Sequence, residues 1–196
     1  MAEMRSAFDL AMEKAEKLGE ASDEELRKWK YAPDGERLAA RHLRGECNLI
    51  TELGKYDDRM KGYMAGGAQE VLLRNIDLPR NDYAKRNNKV AMEAIKTLKS
   101  DKVKVENVYS KIRRIFNHYG QEGEQQRGQA YEALKRDFQL KLQQAVQQQL
   151  GVATGIKIDA EGQPQFQEEW RRVLAQLDSQ YYKLLDEYKQ EILSIP

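Results

Sequence analysis

The chain has 196 residues, of which 33% are charged and 40% hydrophobic, and its formal net charge is +1. A chain of this length can bury a core without a metal or disulfide, and its single cysteine, Cys47, excludes an intrachain disulfide and is consistent with a reducing compartment. No apolar run approaches the roughly 18 residues that span a bilayer, and the N-terminal residues alternate acids and bases unlike a signal peptide, so the sequence predicts a cytoplasmic protein without a membrane segment.

The first part of the chain predicts three amphipathic helices, because apolar residues recur at intervals of three or four. The first covers residues 2–18. A capping box formed by Ser22 and Glu25, in which each side chain satisfies a free backbone N–H, begins the second helix. That helix is expected to stop before Pro33, since the residue before a proline disfavours the α conformation. The third helix is expected over about residues 35–53.

The next helix is predicted near residues 56–78, from a regular series of tyrosine, methionine and aliphatic residues that ends at a proline. Gly66 and Gly67 lie in its interior, where each costs about 1 kcal/mol relative to alanine. We therefore expect a close helix crossing or a bend at this point. Asn81 or Asp82 can cap the helix that follows.

Two further helices flank a glycine-rich break in the middle of the chain. Ser100 or Asp101 can cap the first, whose apolar residues continue to the sequence YGQEGEQQRG. Gly120 and Gly123 in this sequence predict a break or a loose turn. The second helix is expected over residues 124–150, with a C-terminal cap at the glycine that follows.

Residues 151–164 form the only sizeable non-helical passage that the sequence predicts. Ile156 and Ile158 alternate with polar residues before a turn signal, so a short loop or a small hairpin is expected. The last helix is predicted over residues 165–193, where apolar residues are spaced 4, 3, 4, 4, 3, 4 and 4 apart. This spacing averages roughly 3.7 rather than 3.5 residues, so it predicts a straight bundle helix rather than a left-handed coiled coil.

These elements predict an all-α protein: a multi-helix bundle of about six or seven helices in a single helical domain over residues 1–196. Asparagine is confined to the first 117 residues and all but one glutamine lies after residue 120. We therefore predict a subdomain boundary near 120, between a part built of short helices (1–120) and a long helical hairpin (121–196). Three long helices are expected to pack antiparallel, and they lie near residues 56–78, 124–150 and 165–193.

The small net charge hides an uneven distribution. Residues 79–116 carry 11 basic and 4 acidic side chains, whereas the segments on either side are each net negative. At 100° per residue, four lysines of this segment fall within about 80° of one another and predict a solvent-facing stripe opposite an apolar face. The candidate polyanion-binding residues are Lys85, Lys89, Lys96 and Lys99 in this lysine stripe, with Lys104, Lys111, Arg113 and Arg114 scattered over the following helix.

Such a stripe can follow a phosphate backbone, with binding that depends strongly on salt. Nucleic-acid recognition usually adds exposed aromatic residues, yet the aromatic residues of this segment are expected on the core-facing side. The sequence pI of about 7.7 is also below the strongly basic value typical of nucleic-acid-binding domains. A solvated lysine face that complements acidic parts of the same or a neighbouring chain is therefore favoured, and nucleic-acid binding is the alternative. The aromatic residues in question are Tyr83, Tyr109, Phe116 and Tyr119.

His42 and Glu46 are the candidate metal-ligand pair of this sequence. They lie four residues apart on a predicted helix, so both side chains would project over the same turn. Cys47 would point about 140° away from His42 and is a poor third ligand. The other interpretation is a hydrogen bond between the histidine and the carboxylate near a helix–helix contact, and no cofactor is predicted.

Sequence motifs give little support for an enzyme. The chain has no P-loop, no dinucleotide-binding glycine motif, no HExxH, no GxSxG and no CxxC, and no glutamate precedes a histidine by three residues as in di-iron bundles. The densest polar loop, NIDLPRND, is expected to hold helix caps and a proline stop, with a binding role as the alternative. Its candidate residues are Asn75, Asp77, Arg80 and Asp82.

Long amphipathic helices without convergent polar residues predict a non-enzymatic protein that acts through protein–protein contacts, either by self-association or with a helical partner. Ala133 and Leu140 lie roughly opposite Tyr131 and Phe138 on the helix 124–150, which predicts that this helix is covered on two sides. The two alternatives are a module that binds nucleic acid or another polyanion, and a small-ligand or metal binder at the histidine–glutamate pair.

Overall fold

A computed structural model describes residues 23–150 and 159–196, and within these ranges the protein contains helices and no strands. The all-α prediction is therefore confirmed for these residues. Contacts divide the chain into two compact units, the first made of residues 1–75 with 90–98 and the second of residues 76–89 with 99–196. The seven helices described are α1 (Asp23–Leu43), α2 (Leu49–Leu53), α3 (Asp58–Arg74), α4 (Asp82–Leu98), α5 (Lys102–Gly120), α6 (Glu122–Leu150) and α7 (Pro164–Ser194).

Four sequence predictions fall wholly or partly outside the described residues. They are the helix over residues 2–18, the capping box that begins at Ser22, the C-terminal cap at residue 151, and most of the loop or hairpin over residues 151–164. Of that loop, residues 159–163 are described, and they form a non-helical turn in which the Asp159 carboxylate accepts the N–H of Gly162 at 3.1 Å. The turn leads into α7 at Pro164, one residue before the start that the sequence predicts for the last helix.

The first unit is built on the antiparallel pair of α1 and α3, which cross at backbone contact. A β-carbon on Gly35 of α1 would lie 1.8 Å from the carbonyl oxygen of Met64, and one on Gly67 of α3 would lie 2.2 Å from that of Ala32. The same construction at Gly66 meets open space. The predicted close crossing is confirmed, with Gly67 as the contact residue.

The prediction that one helix stops before Pro33 and another covers residues 35–53 is wrong. Helix α1 continues through Pro33 to Leu43. Pro33 is exposed, so water can reach the carbonyl that loses its N–H partner there. Because Gly35 on the same helix lies directly on α3, tertiary packing outweighs the local cost of the proline.

Helix α1 instead ends at Leu43, and Gly45 just beyond it is the one described glycine with a left-handed backbone, at φ 76°. The N–H of Gly45 donates to the carbonyl of His42 and that of Glu46 to the carbonyl of Arg41, both at 2.9 Å. This pairing is a Schellman motif, in which a glycine allows two otherwise free carbonyls of the last turn to be satisfied. The five-residue α2 then follows as a separate helix.

The second unit packs α5, α6 and α7 against one another. Helices α6 and α7 run antiparallel, since Arg127 lies near Asp178 while Tyr131, further along α6, makes an edge-to-face contact with Trp170. These are two of the three helices predicted to be long, and the third, α3, belongs to the first unit. The predicted break between α5 and α6 is confirmed, because α5 ends at Gly120 and α6 begins two residues later. Residue 120 lies within this unit.

Local capping follows the sequence prediction closely. The Asp101 carboxylate accepts the N–H of Lys104 at 3.0 Å at the start of α5. At the start of α4, the Asn81 side-chain oxygen accepts the N–H of Ala84 at 2.8 Å. Both caps are confirmed, because they depend on residues only three apart in sequence.

Candidate functional site

Asp178 is a buried carboxylate in the middle of α7, only 3% exposed. Its Oδ2 accepts a hydrogen bond of 2.7 Å from Nη2 of Arg80, and its Oδ1 lies 4.0 Å from Nη1 of Arg127. No hydrogen bond from the described residues reaches Oδ1. Because burial of a charge is costly unless it is paired, these two arginines are what allows Asp178 to occupy the core.

The segment before α4 positions Arg80. Ile76 and Leu78 are fully buried on either side of Asp77, which fixes the path of the chain. The buried side chain of Asn88 holds the backbone of Asp77 twice, as an acceptor from its N–H at 2.9 Å and as a donor to its carbonyl at 2.6 Å. These two hydrogen bonds fix the backbone at Asp77. They therefore also fix the turn that follows, from which Arg80 reaches Asp178 on α7.

Two tyrosines hold the arginines in place. Nη2 of Arg80 also donates to the hydroxyl of Tyr182 at 2.9 Å. The guanidinium of Arg127 lies 3.9 Å from the ring centroid of Tyr119 and donates to the Tyr119 carbonyl at 3.1 Å. We call these five residues the Asp178 cluster: Asp178, Arg80, Arg127, Tyr119 and Tyr182.

The cluster changes the acidity of its tyrosines. Burial, assisted by a hydrogen bond with Asp77, raises the pKa of Tyr182 to about 12. Burial and the charge of Asp178 also raise the pKa of Tyr119. Both phenols therefore stay protonated at neutral pH and act as hydrogen-bonding groups.

Two cavities are each lined in part by Arg80, Arg127 and Tyr119. One, of about 500 Å³, is also lined by Asp178, Arg171 and Leu174. The other, of about 550 Å³, is also lined by Lys85 and Glu124. In each cavity three cationic side chains face a single carboxylate, so both carry an excess of positive charge.

The lysine stripe differs from the prediction at its C-terminal end. Lys85 and Lys89 are exposed and Lys96 is half-buried, but Lys99 is buried. Its Nζ donates to the carbonyls of Leu193 and Ile195, and burial lowers the pKa of Lys99. The prediction that Lys99 faces solvent is wrong, because α4 ends at Leu98 and helical phase no longer applies beyond it.

Most of the remaining basic residues have acidic partners close by. Lys85 pairs with Asp82 at 3.2 Å, Lys104 with Asp101 at 3.2 Å, and Lys111 with Glu191 at 2.8 Å. Arg113 pairs with Glu106, whereas Arg114 is exposed and lines a groove beside Leu177. These ion pairs reduce the positive electrostatic potential that would attract a polyanion to this surface. Polyanion binding itself stays a prediction.

The expectation that all aromatic residues of this segment face the core is wrong for Tyr83, which is 71% exposed. Tyr109 and Tyr119 are buried and Phe116 is half-buried. Tyr83 lies in the first turn of α4, and helical phase predicts the direction of its side chain but not whether another described residue covers it. The exposure of Tyr83 therefore weakens one of the two sequence arguments against nucleic-acid binding, the argument that no aromatic residue is available for stacking.

The pair His42 and Glu46 does not form the predicted i, i+4 arrangement, because α1 ends between them. Nδ1 of His42 lies 3.0 Å from the carbonyl of Cys47, which can only accept, so this nitrogen carries the proton. Glu46 binds Arg44 at 2.6 and 3.0 Å. Among the described residues, no group of three or more histidine, cysteine, aspartate or glutamate side chains is placed to hold a metal.

The four candidates of the polar loop are used in different ways. Asn75 closes α3 by donating to the carbonyl of Val71 at 2.8 Å, and Asp82 pairs with Lys85. Asp77 accepts the N–H of Leu78 through its carboxylate at 2.7 Å. Arg80 is a member of the Asp178 cluster, and Asp77 hydrogen-bonds the Tyr182 of that cluster. A binding role for the loop stays a prediction.

We expect the buried position of Lys99 to matter for stability. Lys99→Ala should lower the free energy of unfolding by about 2 kcal/mol, because it removes a buried aliphatic stem and two hydrogen bonds to the carbonyls of Leu193 and Ile195. Urea unfolding followed by circular dichroism measures this change. The matched control is Lys89→Ala, an exposed lysine, which should stay within about 0.5 kcal/mol of the parent. Equal effects of the two substitutions would contradict a structural role for Lys99.

The fold and cluster define an all-α protein, two units of packed helices with a buried aspartate–arginine site in the second. The chain belongs to DUF6657, a family of unknown function, whose model matches residues 50–194. That range includes all five residues of the Asp178 cluster. No curated protein and no solved structure matches the chain. In the described parts of the chain, no helix is long and apolar enough to cross a membrane.

Proposed function

We propose that this protein is a non-enzymatic helical interaction protein that self-associates through the outer face of α6. The observation that carries the proposal is the poor burial of this helix. Helix α6 has 29 residues, yet between residues 122 and 148 only Gly123 is buried. A helix of this length gains most of its stability from packing, so a further partner for α6 is expected.

One face of α6 is already occupied by α7. The ring of Tyr131 meets those of Phe166 and Trp170 at centroid distances of 5.5 and 5.0 Å, and Phe138 meets Phe166 at 5.7 Å. The opposite face carries Leu140, which is 57% exposed, and the exposed Ala133. This is the second apolar line that the sequence predicts, and its exposure supports a second covering partner.

The surroundings of the outer face favour a second copy of the same chain. The residues three and four positions from Leu140 carry one positive charge, one negative charge and two amides, so two copies can approach without a net opposing charge. An apolar centre with a polar rim is the usual anatomy of a protein interface, and a twofold axis allows one patch to pair with itself. These four exposed residues are Arg136, Asp137, Gln143 and Gln144.

Light scattering coupled to size-exclusion chromatography tests this proposal with Leu140→Glu. At tens of micromolar the parent is expected to have a multiple of the 22.7 kDa chain mass, and Leu140→Glu is expected to return it toward one chain. A charge at the centre of an apolar contact loses its water without gaining a partner, so the dissociation constant should rise at least tenfold.

Val103→Glu is the matched control, because Val103 is an apolar residue of α5 that is 72% exposed. It should leave the mass of the parent unchanged. A monomeric parent would end the self-association proposal, and an equal oligomeric mass for the parent and Leu140→Glu would end its assignment to the outer face of α6. A deletion of residues 2–18 that dissociates the oligomer while Leu140→Glu does not would assign the contact to the N-terminal segment instead.

A cytoplasmic location is part of the same proposal. It is supported by the single cysteine, since a chain with no intrachain disulfide is suited to a reducing compartment.

A further inference from the structure

The 500 Å³ cavity of the Asp178 cluster has an unbalanced charge. Arg80, Arg127 and Arg171 line it together with a single carboxylate, that of Asp178. Asp178 is already engaged by Arg80 at 2.7 Å and lies within 4.0 Å of Arg127. Three guanidinium groups cannot be neutralised by one carboxylate, and their mutual repulsion falls when another anion enters.

The walls of this cavity suit an organic ligand. Leu174 and Ala175 of α7 provide an aliphatic surface, and the ring of Tyr182 provides an aromatic one. A volume of about 500 Å³ lies in the range of small-molecule sites, which combine apolar walls with a few placed polar groups.

Two of the three arginines are held in position before any ligand arrives. Arg80 is fixed by Asp178 and the Tyr182 hydroxyl, and Arg127 is fixed by the Tyr119 ring and carbonyl. Arg127 is also only 19% exposed, so its charge is poorly screened. Preorganised and partly desolvated guanidinium groups bind carboxylates and phosphates well, because little side-chain entropy is lost and two parallel hydrogen bonds can form.

We propose that this cavity is a binding site for a small organic anion, a carboxylate or phosphate monoester that carries a flat apolar body. The anionic group lies among Arg80, Arg127 and Arg171, and the apolar body lies against Leu174 and the Tyr182 ring. Asp178 acts as a positioning residue that keeps two of the arginines side by side. This site is independent of the outer face of α6, so neither proposal depends on the other.

Isothermal titration calorimetry at low ionic strength tests the site with three probes: phenyl phosphate, benzoate and inorganic phosphate. At least one of the two aromatic anions is expected to bind with a dissociation constant below about 1 mM. Whichever of them binds more tightly identifies the anionic group that the site prefers. Inorganic phosphate, which has no apolar body, should bind at least about tenfold more weakly than phenyl phosphate if the walls contribute.

Arg171→Gln and Arg172→Gln form a matched pair of variants on α7. Arg171 lines the cavity, is exposed, and makes only a helix-internal bond from its Nε to the carbonyl of Gln167 at 3.2 Å among the contacts described, so its loss should not unfold the protein. Arg172 pairs with Glu168 at 2.6 Å. Arg171→Gln should weaken binding of the preferred aromatic anion about tenfold, whereas Arg172→Gln should change it less than twofold.

The comparison separates a site from a general charge effect. Equal weakening by Arg171→Gln and Arg172→Gln would overturn the proposal, because it would mean that the anions respond only to net charge. If neither of the two aromatic anions binds at millimolar concentration, the proposal is also overturned. Equal affinity for inorganic and phenyl phosphate would overturn the assignment of an apolar body.

Discussion

Gly67→Ala is expected to lower the free energy of unfolding of this protein by about 2 kcal/mol. A β-carbon at residue 67 would lie 2.2 Å from the carbonyl oxygen of Ala32 and 2.8 Å from its carbonyl carbon. Both atoms belong to the backbone of α1, so no side-chain rotation relieves the contact and the two helices must separate. Such overpacking costs about 3 kcal/mol, of which the better helix propensity of alanine recovers about 1.

The adjacent glycine supplies the control. A β-carbon on Gly66 meets nothing within 4 Å, so Gly66→Ala should gain the helix propensity alone and raise the free energy of unfolding by about 0.5 to 1 kcal/mol. Urea unfolding measured by circular dichroism should thus give opposite signs for substitutions at neighbouring residues. If both alanine variants are stabilised, the backbone crossing of α1 and α3 is not as close as described.

The features that the sequence predicts best are those that depend on a few neighbouring residues. The cap at Asp101, the cap at Asn81 and the start of α7 at Pro164 each follow from side chains and backbone groups within about one helical turn. Pro33 is the instructive failure, since its local signal is that of a helix stop. The packing of Gly35 on Met64, between residues far apart in sequence, outweighs it.

The Asp178 cluster could be predicted only in part. Arg80 lies in the loop that the sequence marks as polar, but its partner Asp178 is 98 residues away, and no short-range pattern joins them. One signal was present in α7. Asp178 lies four residues after Leu174 and seven before the fully buried Leu185, which places a carboxylate on an apolar face. Arg127 gave no comparable signal, because its burial results from α6 packing against Tyr119.

The cluster also explains why Asp178 should be the most sensitive charged residue of the second unit. It is the only carboxylate that the structure places within 4.0 Å of Arg80 or Arg127 among the described ion pairs. The side chain of Arg80 is half exposed, so water can solvate its guanidinium when the Asp178 carboxylate is lost. Arg127 is largely buried and cannot do so without leaving the Tyr119 ring.

Asp178→Asn should therefore lower the free energy of unfolding by about 2 to 3 kcal/mol, because the amide keeps the shape of the carboxylate but leaves two guanidinium groups without a counter-charge. This expected loss of stability is at or below the low end of what breaking a fully buried ion pair costs, because the guanidinium of Arg80 is solvated again when its partner is removed. Urea unfolding of the parent and variant at neutral pH measures the change.

Glu187→Gln on the same helix is the matched control. Glu187 is exposed and belongs to none of the described ion pairs, so its loss should cost less than about 0.5 kcal/mol. A double-mutant cycle between Asp178→Asn and Arg80→Gln should give a coupling of at least about 1 kcal/mol, which a purely steric role for Asp178 would not produce. If Asp178→Asn and Glu187→Gln cost the same, the arginines are not held by Asp178, and the preorganisation on which the anion site depends is absent.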